Sequence, residues 1–354
     1  MTAPLPMVDV NLLVYNAEST IAAAIESVLA QTWPARTLTV IDNASTDSTP
    51  QIVRDYARSD PCIQYRRLRA NVGSVVNCQN AFSAGHADFV MPKTADDLIA
   101  PTFLEQTMAV LLAHPDCVMC HSAGLVFVAD GAVKHVYPST HLLQAIGNNA
   151  RERSAHVMQH YTSAPSFWGV YRRSSVDRLA RFAYRAGWDH VMLAELALYG
   201  EIRHVRPTLY WRRDGGKPVQ EIARACTHAA QRGISLEDEL AELRWTTPYI
   251  TTAHAHVEAF AVARMSHADR ALLMQDAIRI FRGRWLPLMQ REAASFASTL
   301  GTRIAAATEA PQGIAKWMIQ QIADATHAVD ALLPEERVAA FFTSLLATSN
   351  LAIR

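Results

Sequence analysis

The stretch that decides the fold is VDVNLLV at residues 8–14, followed directly by Tyr15 and Asn16. Apolar and β-branched residues dominate it, as they do in a strand that is buried on both faces. Residues 19–31 then carry apolar side chains at helical spacing, and Pro34 ends this pattern. A buried strand that leads into an amphipathic helix is the first half of a β-α-β unit.

The same alternation continues through the N-terminal half of the chain. Short β-rich segments followed by helical patterns predict an α/β fold, with a mostly parallel, Rossmann-like sheet covered by helices. Gly131 marks a turn between two β-rich segments at 118–128 and 133–137, so an antiparallel hairpin makes the predicted sheet mixed. Further strands are predicted at residues 38–41, 63–68, 89–91 and 167–171, and helices at residues 45–58, 71–84, 101–113 and 189–199.

The C-terminal part of the chain has a different character. Residues 211–218, WRRDGGKP, contain a glycine and proline cluster that is typical of a loop or linker. Downstream of it the sequence is rich in alanine and follows the helical period. We therefore predict an α/β domain at residues 1–215 and an all-α domain at 216–354, whose apolar stripes form a core or the interface of a homo-oligomer. Helix breaks are expected near Gly233, Pro248, Gly283, Pro287, Gly301, Pro311 and Pro334.

Composition excludes several functional classes. The 33 basic residues balance the 33 acidic ones, so no long-range field favours binding to nucleic acid or to an anionic membrane surface. No apolar run approaches the roughly 20 residues that a membrane-spanning helix needs, and the first ten residues lack the pattern of a secretory signal. We expect a cytoplasmic protein without an integral membrane segment.

Polar residues follow three of the predicted strands at the point where each strand ends. They are Tyr15-Asn16, Asp42-Asn43 and Asp96-Asp97. Ligands of open α/β sheets bind at this edge, where an aromatic ring can stack on a base and carboxylates can hold a divalent cation beside a diphosphate. The sequence has neither a Walker A loop nor a Gly-x-Gly-x-x-Gly turn, so it disfavours ATPases and dehydrogenases and indicates a metal-dependent nucleotide site.

Seven segments of the sequence, taken together in their order along the chain, resemble the family 2 glycosyltransferases of the GT-A fold. Asp96 and Asp97 fall where that family carries its Asp-x-Asp metal motif and a further aspartate, and the resemblance covers roughly residues 7–214. The segments are residues 10–16, 21–34, 40–49, Asn71-Val72-Gly73, 94–97, 167–173 and Gly187-Trp188-Asp189. Together they are specific, whereas each alone is weak.

The resemblance implies an inverting transfer from a nucleotide diphosphate sugar to an acceptor hydroxyl on a saccharide, a lipid-linked molecule or a protein, in glycan biosynthesis. Asp96, with Asp97 beside it, would hold Mn2+ or Mg2+, which neutralises the leaving diphosphate. Asp189 would be the general base that takes the acceptor proton. The implied donor-site residues are Leu13, Tyr15, Glu18, Asp42, Asn71, Gly73, Lys93, Thr94, Ala95, Arg212 and Arg213, of which the two arginines would follow the last strand on a loop.

The sequence also departs from the family pattern. Thr94 replaces the first aspartate of the metal motif, and the ammonium of Lys93 beside it could replace part of the metal charge at the phosphate. Cys78 replaces an arginine, and Asp214 stands near the position of a histidine. A non-catalytic binding module with the same fold is therefore an alternative. A sugar nucleotidyltransferase is less favoured, because residues 14–19 lack a glycine-rich basic loop.

Several site residues also have purely structural interpretations. Asp42 could cap a turn, and Asp96-Asp97 could cap the helix predicted from Pro101. Asp189 could stabilise the first turn of its helix through the helix dipole, with Glu195 as the alternative base. Trp168 could stack on a sugar or fill the core. Arg172-Arg173 could be a solvated pair or a phosphate clamp.

Overall fold

A computed structural model of the chain describes residues 4–34, 36–162, 164–179, 187–214 and 248–306. The described residues fall into two compact units. The first contains residues 4–179 and 192–214, and the second contains residues 187–191 and 248–306. The predicted domain boundary at residue 215 lies outside the described residues and stays a prediction.

The first unit is built on a mixed sheet of nine strands among its described residues. Their order is β3-β2-β1-β4-β8-β6-β9-β5, and β7 pairs with β6. Parallel pairs join β1 to β2 and β4, whereas β8 runs antiparallel to β4 and β6. The strands are β1 (Val8–Val14), β2 (Arg36–Asp42), β3 (Ile63–Arg67), β4 (Phe89–Thr94), β5 (Leu98–Ile99), β6 (Cys117–Phe127), β7 (Val133–Val136), β8 (Gly169–Arg172) and β9 (Glu201–Arg213).

Helices cover this sheet. In α1 the buried side chains are Ile21, Ala24, Ile25 and Val28, the face that the helical period predicts. The helices are α1 (Ile21–Leu29), α2 (Thr49–Ser59), α3 (Ser74–Ser83), α4 (Phe103–Ala113), α5 (Ala150–His160), α6 (Arg173–Val176) and α7 (Trp188–Tyr199), and the first four residues of α7 belong to the second unit.

Most predicted elements are present, and two strands were missed. The strand at residues 8–14 has the predicted bounds, and the hairpin at Gly131 is antiparallel as predicted. β5 has only two residues, and β9 carries many polar residues and Pro207, so neither has the pattern of a strand. The prediction that Arg212 and Arg213 follow the last strand on a loop is therefore wrong, because they are its last two residues.

The second unit contains two long helices among its described residues, α8 (Pro248–Val262) and α9 (His267–Ala306). α8 is described from Pro248 onward, and the residues before it lie outside the described ranges, so the break predicted at Pro248 stays a prediction. The breaks predicted near Gly283, Pro287 and Gly301 are wrong, since α9 runs through all three residues. Gly233, Pro311 and Pro334 lie outside the described residues. No helix in the described ranges is long and apolar enough to cross a membrane.

A buried ion pair joins the start of β1 to the end of β8. Arg173 donates to Asp9 at 2.8 Å, and the two side chains are only 13% and 6% exposed. The same guanidinium donates to the carbonyls of Phe82, Ala84 and Ala87. Arg173 is thus a structural cross-link, which is neither of the two roles considered from the sequence.

Replacing Arg173 with alanine should lower the free energy of unfolding by about 3 to 5 kcal/mol, because it leaves the Asp9 carboxylate buried without its cation. Urea denaturation measures this difference. Arg58→Ala is the matched control, because Arg58 pairs with Asp55 at the same 2.7 to 2.8 Å range but with side chains 70% and 56% exposed. It should cost about 0 to 1 kcal/mol. Equal losses in the two variants would contradict the structural role of the Arg173 pair.

Candidate functional site

The carboxyl ends of β1, β2 and β4 meet at one edge of the sheet. Val14 is paired with Asp42 and Leu13 with Thr94, so the residues that follow these strands emerge side by side. The three polar clusters predicted from the sequence follow these strand ends. This edge is the candidate functional site.

Hydrogen bonds between side chains and backbone tie the loop after β1 to the loop after β2. Asn16 accepts from the Thr46 backbone N–H at 2.8 Å, while its own backbone N–H donates to the Ser45 hydroxyl at 2.9 Å. Glu18 accepts from the Ser48 backbone N–H at 3.0 Å. Glu18 therefore supports the start of α2, and this contact holds the two loops at a fixed spacing.

Tyr15 presents its ring at this edge and is 47% exposed. The next residue, Asn16, has a φ of 47°, and Ala44 on the neighbouring loop has a φ of 62°. Asparagine tolerates this left-handed region, but alanine adopts it at a cost of about 1 to 2 kcal/mol. Backbone strain of this kind concentrates at functional sites, and here it lies between Asp42-Asn43 and Ser45.

Asp42 is completely buried, and its oxygens accept three hydrogen bonds. Oδ1 accepts from the Ser45 backbone N–H at 2.8 Å, as in the turn that the sequence allowed. Oδ2 accepts from the Tyr65 hydroxyl at 2.6 Å and from Arg67 at 2.7 Å. Burial, together with the Asp42 hydrogen bond, raises the pKa of Tyr65. The surface at this position is formed by Arg67, which is 38% exposed, rather than by Asp42 itself.

Asn43 shapes the neighbouring wall by holding the Asn71-Val72-Gly73 turn. Its amide donates to Asn71 Oδ1 at 2.8 Å, and its oxygen accepts from the Val72 backbone N–H at 2.8 Å. Gly73 has a φ of 81° and so requires glycine. Asn71 and Gly73 are therefore brought to the predicted edge through Asn43.

Lys93 lies beneath the acidic loop and has no exposed area. Its ammonium donates to the carbonyl oxygens of Thr94 and Asp97. Burial lowers the pKa of Lys93 to about 8, although the Asp97 and Asp96 carboxylates act in the opposite direction. The structure therefore places this ammonium inside the loop and not on the surface where a phosphate would lie.

Two of the predicted donor-site residues contribute backbone contacts to this edge. The backbone N–H of Ala95 donates to the Leu13 carbonyl at 3.2 Å, which joins the loop after β4 to the end of β1. Ala95 is buried, and Leu13 packs against the small cluster of Ile41, Ala81 and Ala84.

The two adjacent aspartates have different environments. The Asp96 side chain is exposed, and within the described part of the chain no group donates a hydrogen bond to its carboxylate. Asp97 is 4% exposed and accepts from the Thr94 hydroxyl at 2.7 Å, from the Tyr210 hydroxyl at 2.6 Å and from the Arg213 backbone N–H at 2.8 Å. Burial raises the pKa of Asp97, and the Asp96 carboxylate adds to this increase.

These contacts exclude the helix-cap interpretation of the aspartate pair. The N-cap of α4 is Thr102, which makes no side-chain capping bond. Asp97 instead joins the loop after β4 to the end of β9. The sequence analysis did not predict a role for Tyr210, because it missed the strand that carries this residue. The sequence feature that could have indicated the strand is the alternation of Tyr210 and Arg212 before the glycine pair.

The two arginines reach the same edge from the end of β9. Arg213 donates from Nε to the Asp96 carbonyl at 3.2 Å and packs over the Phe127 ring. Arg212 donates to the Tyr137 hydroxyl at 3.3 Å, and this bond raises the pKa of the guanidinium against the effect of burial. Both side chains are half-buried, so each combines a fixed position with an accessible cation.

Asp189 and Glu195, the two candidate bases, belong to different compact units. Asp189 is in the first turn of α7, within the segment that belongs to the second unit. Glu195, the alternative base, is buried in the first unit. Trp168 stacks on Tyr210 with an interplanar angle of 5° and packs against the core, and Arg172 donates to the carbonyls of Leu111 and Cys117.

The arrangement offers an exposed aromatic ring, one free carboxylate and two cations at the carboxyl edge of a Rossmann-like sheet. The sheet that carries this edge has a mixed strand order, and this architecture is that of the GT-A class. The solved structure of residues 1–349 of Staphylococcus aureus TarS in complex with UDP-GlcNAc shares this fold, with a TM-score of 0.55 and 17% identity over 95% of this chain and 83% of that one.

Sequence comparison identifies the family. The profile of glycosyl transferase family 2 matches residues 9–179. The chain therefore carries a family 2 glycosyltransferase domain at residues 9–179, and the predictions of the family and of the GT-A fold are confirmed.

Two glycosyltransferase homologues from Bacillus subtilis (strain 168) match parts of the chain. EpsE is 33% identical over 124 residues, which are 34% of this chain and 44% of EpsE. EpsH is 25% identical over 206 residues, which are 58% of this chain and 54% of EpsH. The chain thus spans about half the length of these relatives.

Tyr210→Phe should lower the free energy of unfolding by about 1.5 to 3 kcal/mol, because a buried carboxylate loses a hydrogen bond. Tyr171→Phe is the matched control, since Tyr171 is equally buried but donates to the neutral Phe167 carbonyl, and its loss should be about 0.5 to 1.5 kcal/mol. Urea denaturation compares the two variants. A smaller loss for Tyr210→Phe than for Tyr171→Phe would mean that the Asp97 contact does not stabilise this edge.

Proposed function

We propose that this protein transfers a glycosyl group from a nucleoside diphosphate sugar to an acceptor hydroxyl, with inversion at the anomeric carbon. The observation that supports this most directly is the pair Asp96 and Arg213. The Asp96 carboxylate is exposed, and the Arg213 guanidinium donates to the backbone carbonyl of the same residue, so a carboxylate and a cation lie together at the sheet edge where ligands of open α/β folds bind. A diphosphate needs such a combination of cation site and cationic donors.

The nucleoside would bind between the loops after β1 and β2. The exposed Tyr15 ring offers a stacking surface for the base. Arg67 covers the carboxylate of Asp42, so the base would contact the Arg67–Asp42 ion pair and not the carboxylate alone. Because TarS was solved with UDP-GlcNAc, a UDP-sugar is the first donor to test.

A divalent cation, Mn2+ or Mg2+, would be held by Asp96. The donor set fits such an ion, because Mg2+ binds through one or two carboxylates together with phosphate oxygens and water. Asp97 already accepts three hydrogen bonds, and Thr94 supplies no carboxylate, so the protein offers mainly one ligand. The ion would neutralise the leaving diphosphate. We therefore expect metal binding to depend on the nucleotide.

Asp189 would accept the proton from the attacking hydroxyl, and Arg212 and Arg213 would contact the diphosphate. The acceptor would be a saccharide, a lipid-linked molecule or a protein, in the synthesis of a glycan in the cytoplasm. A non-catalytic module that binds the same donor is the second candidate, and the observation that favours it is the hydrogen bond from Thr94 to Asp97 in place of a second metal-binding carboxylate.

Isothermal titration of the full chain with UDP, GDP and dTDP, with and without Mn2+, tests donor binding. One nucleotide should bind at least tenfold more tightly with Mn2+, and Mn2+ alone should give no measurable heat. Absence of binding by all three nucleotides would overturn the proposal.

Asp96→Asn should remove the Mn2+ effect on the affinity of that nucleotide, because the exposed carboxylate that would bind the ion is lost. Asp88→Asn is the matched control, since Asp88 is also exposed but precedes the start of β4, at the opposite edge of the sheet. It should retain the Mn2+ effect. The same loss in both variants would argue against a metal at Asp96.

Asp189→Asn should lower turnover by about 100-fold or more, because general-base catalysis contributes roughly 10²- to 10⁴-fold. Turnover is measured as release of the nucleoside diphosphate from the donor that titration identifies, with a panel of glycan acceptors. Intact binding without turnover in the wild-type chain would favour the binding module. Unchanged turnover in Asp189→Asn would contradict the base assignment.

A further inference from the structure

Two buried histidines connect the start of α7 to α8 in the second unit. His190 is 6% exposed and His256 is 0% exposed, and His190 Nδ1 lies 3.0 Å from His256 Nε2. The rings of Phe281 and Trp285 on α9 pack against His190 at centroid distances of 5.8 and 5.5 Å. Two apolar side chains could fill the same space, so packing alone does not explain why two hydrogen-bonded histidines stand here.

The chemistry of the contacts fixes the direction of this hydrogen-bond chain. His256 Nδ1 lies 2.7 Å from the Thr252 carbonyl oxygen, which can only accept, so Nδ1 carries the proton. The Arg284 guanidinium can only donate, and it lies 3.4 Å from His190 Nε2, so this nitrogen accepts. Burial holds the pKa of His190 well below its usual value, so this ring is neutral and carries its proton on Nδ1. His190 Nδ1 therefore donates to His256 Nε2.

A second contact fixes the same segment. Gly187 has a φ of 71°, and a Cβ at this position would lie 2.0 Å from the Thr252 hydroxyl oxygen. Only glycine allows the backbone to approach α8 so closely. Thr252 therefore receives both contacts: its side chain packs against Gly187, and its carbonyl accepts from His256. The anchors stand two residues before Asp189 and one residue after it.

We propose that His190 and His256, with Arg284 and Gly187, are positioning residues that fix the orientation of Asp189. The inference rests on the proposed function, in which Asp189 is the base. It assigns a role to the helical unit, which holds the segment carrying that base. A directional hydrogen-bond chain defines one ring orientation, whereas packing alone tolerates several.

The tautomers can be observed without any activity measurement. In the full chain labelled with 15N-histidine, His190 and His256 should both show the neutral Nδ1–H form at pH 7, and His190→Gln and His256→Gln identify their signals. A cationic ring, or the Nε2–H form at either residue, would overturn the proposed hydrogen-bond chain.

His256→Phe should lower kcat by about 10- to 100-fold, since a displacement of about 1 Å at a reacting group costs this much. The KM for the donor should stay within about twofold. His256→Gln, which can both accept and donate, should recover most of the rate. His254→Phe is the matched control, because His254 is on the same helix but is partly exposed beside Glu258, and it should leave kcat unchanged. Equal losses in the Phe and Gln variants of His256, at unchanged thermal midpoints, would overturn the proposal.

A double variant separates this inference from the proposed function. If His256 acts through Asp189, then His256→Phe should cause no further loss of kcat in the Asp189→Asn background. Additive losses would overturn the positioning role while the base assignment stands. If Asp189→Asn itself has no effect on kcat, the base assignment fails, and the positioning role fails with it, whatever tautomers the histidines show.

Discussion

The parallel pairing of β1 with β2 and β4 is the constraint on which the first unit depends. It aligns Val14 with Asp42 and Leu13 with Thr94, so three loops leave the sheet at the same level. The polar residues on these loops are far apart in the sequence, and the register alone makes them neighbours. The hydrogen bonds of Asn16, Glu18 and Asn43 then hold the loops to one another.

On the other side of the edge, Asp97 joins the loop after β4 to the end of β9. A buried carboxylate is stable only when hydrogen bonds satisfy it, and the donors come from the loop itself and from β9. Because one donor is the Arg213 backbone, the loop that carries Asp96 and the strand end that carries the arginines share one support. The two aspartates thus divide the work: Asp97 organises the edge, and Asp96 stays accessible.

The sequence was sufficient for the α/β order, the position of β1 and the polar clusters, because apolar periodicity and strand-end chemistry are local properties. The contacts of the clusters were not predictable to the same degree. Arg67 covers Asp42 because β3 lies beside β2, which is a property of strand order. Lys93 is buried, against the expectation for lysine, because the backbone carbonyls of Thr94 and Asp97 accept hydrogen bonds from its ammonium. Pro207 and several charged residues concealed β9, and with it Tyr210.

The family resemblance predicts a general base at Asp189, which the local pattern of residues 187–189 alone does not indicate. That role stays a prediction. The resemblance could not indicate that this segment packs with the helical region, since that contact depends on His256 and Thr252, which lie outside the family profile.

The close approach of Gly187 to Thr252 has a consequence for protein engineering. A chimera that joins this α/β domain to another helical region at the linker would separate Gly187 from the threonine that fits it. The natural exchange module therefore includes residues 187–191 as well as the C-terminal helices. The border between interchangeable parts follows the contacts of Gly187 and His190 with α8 and is discontinuous along the chain.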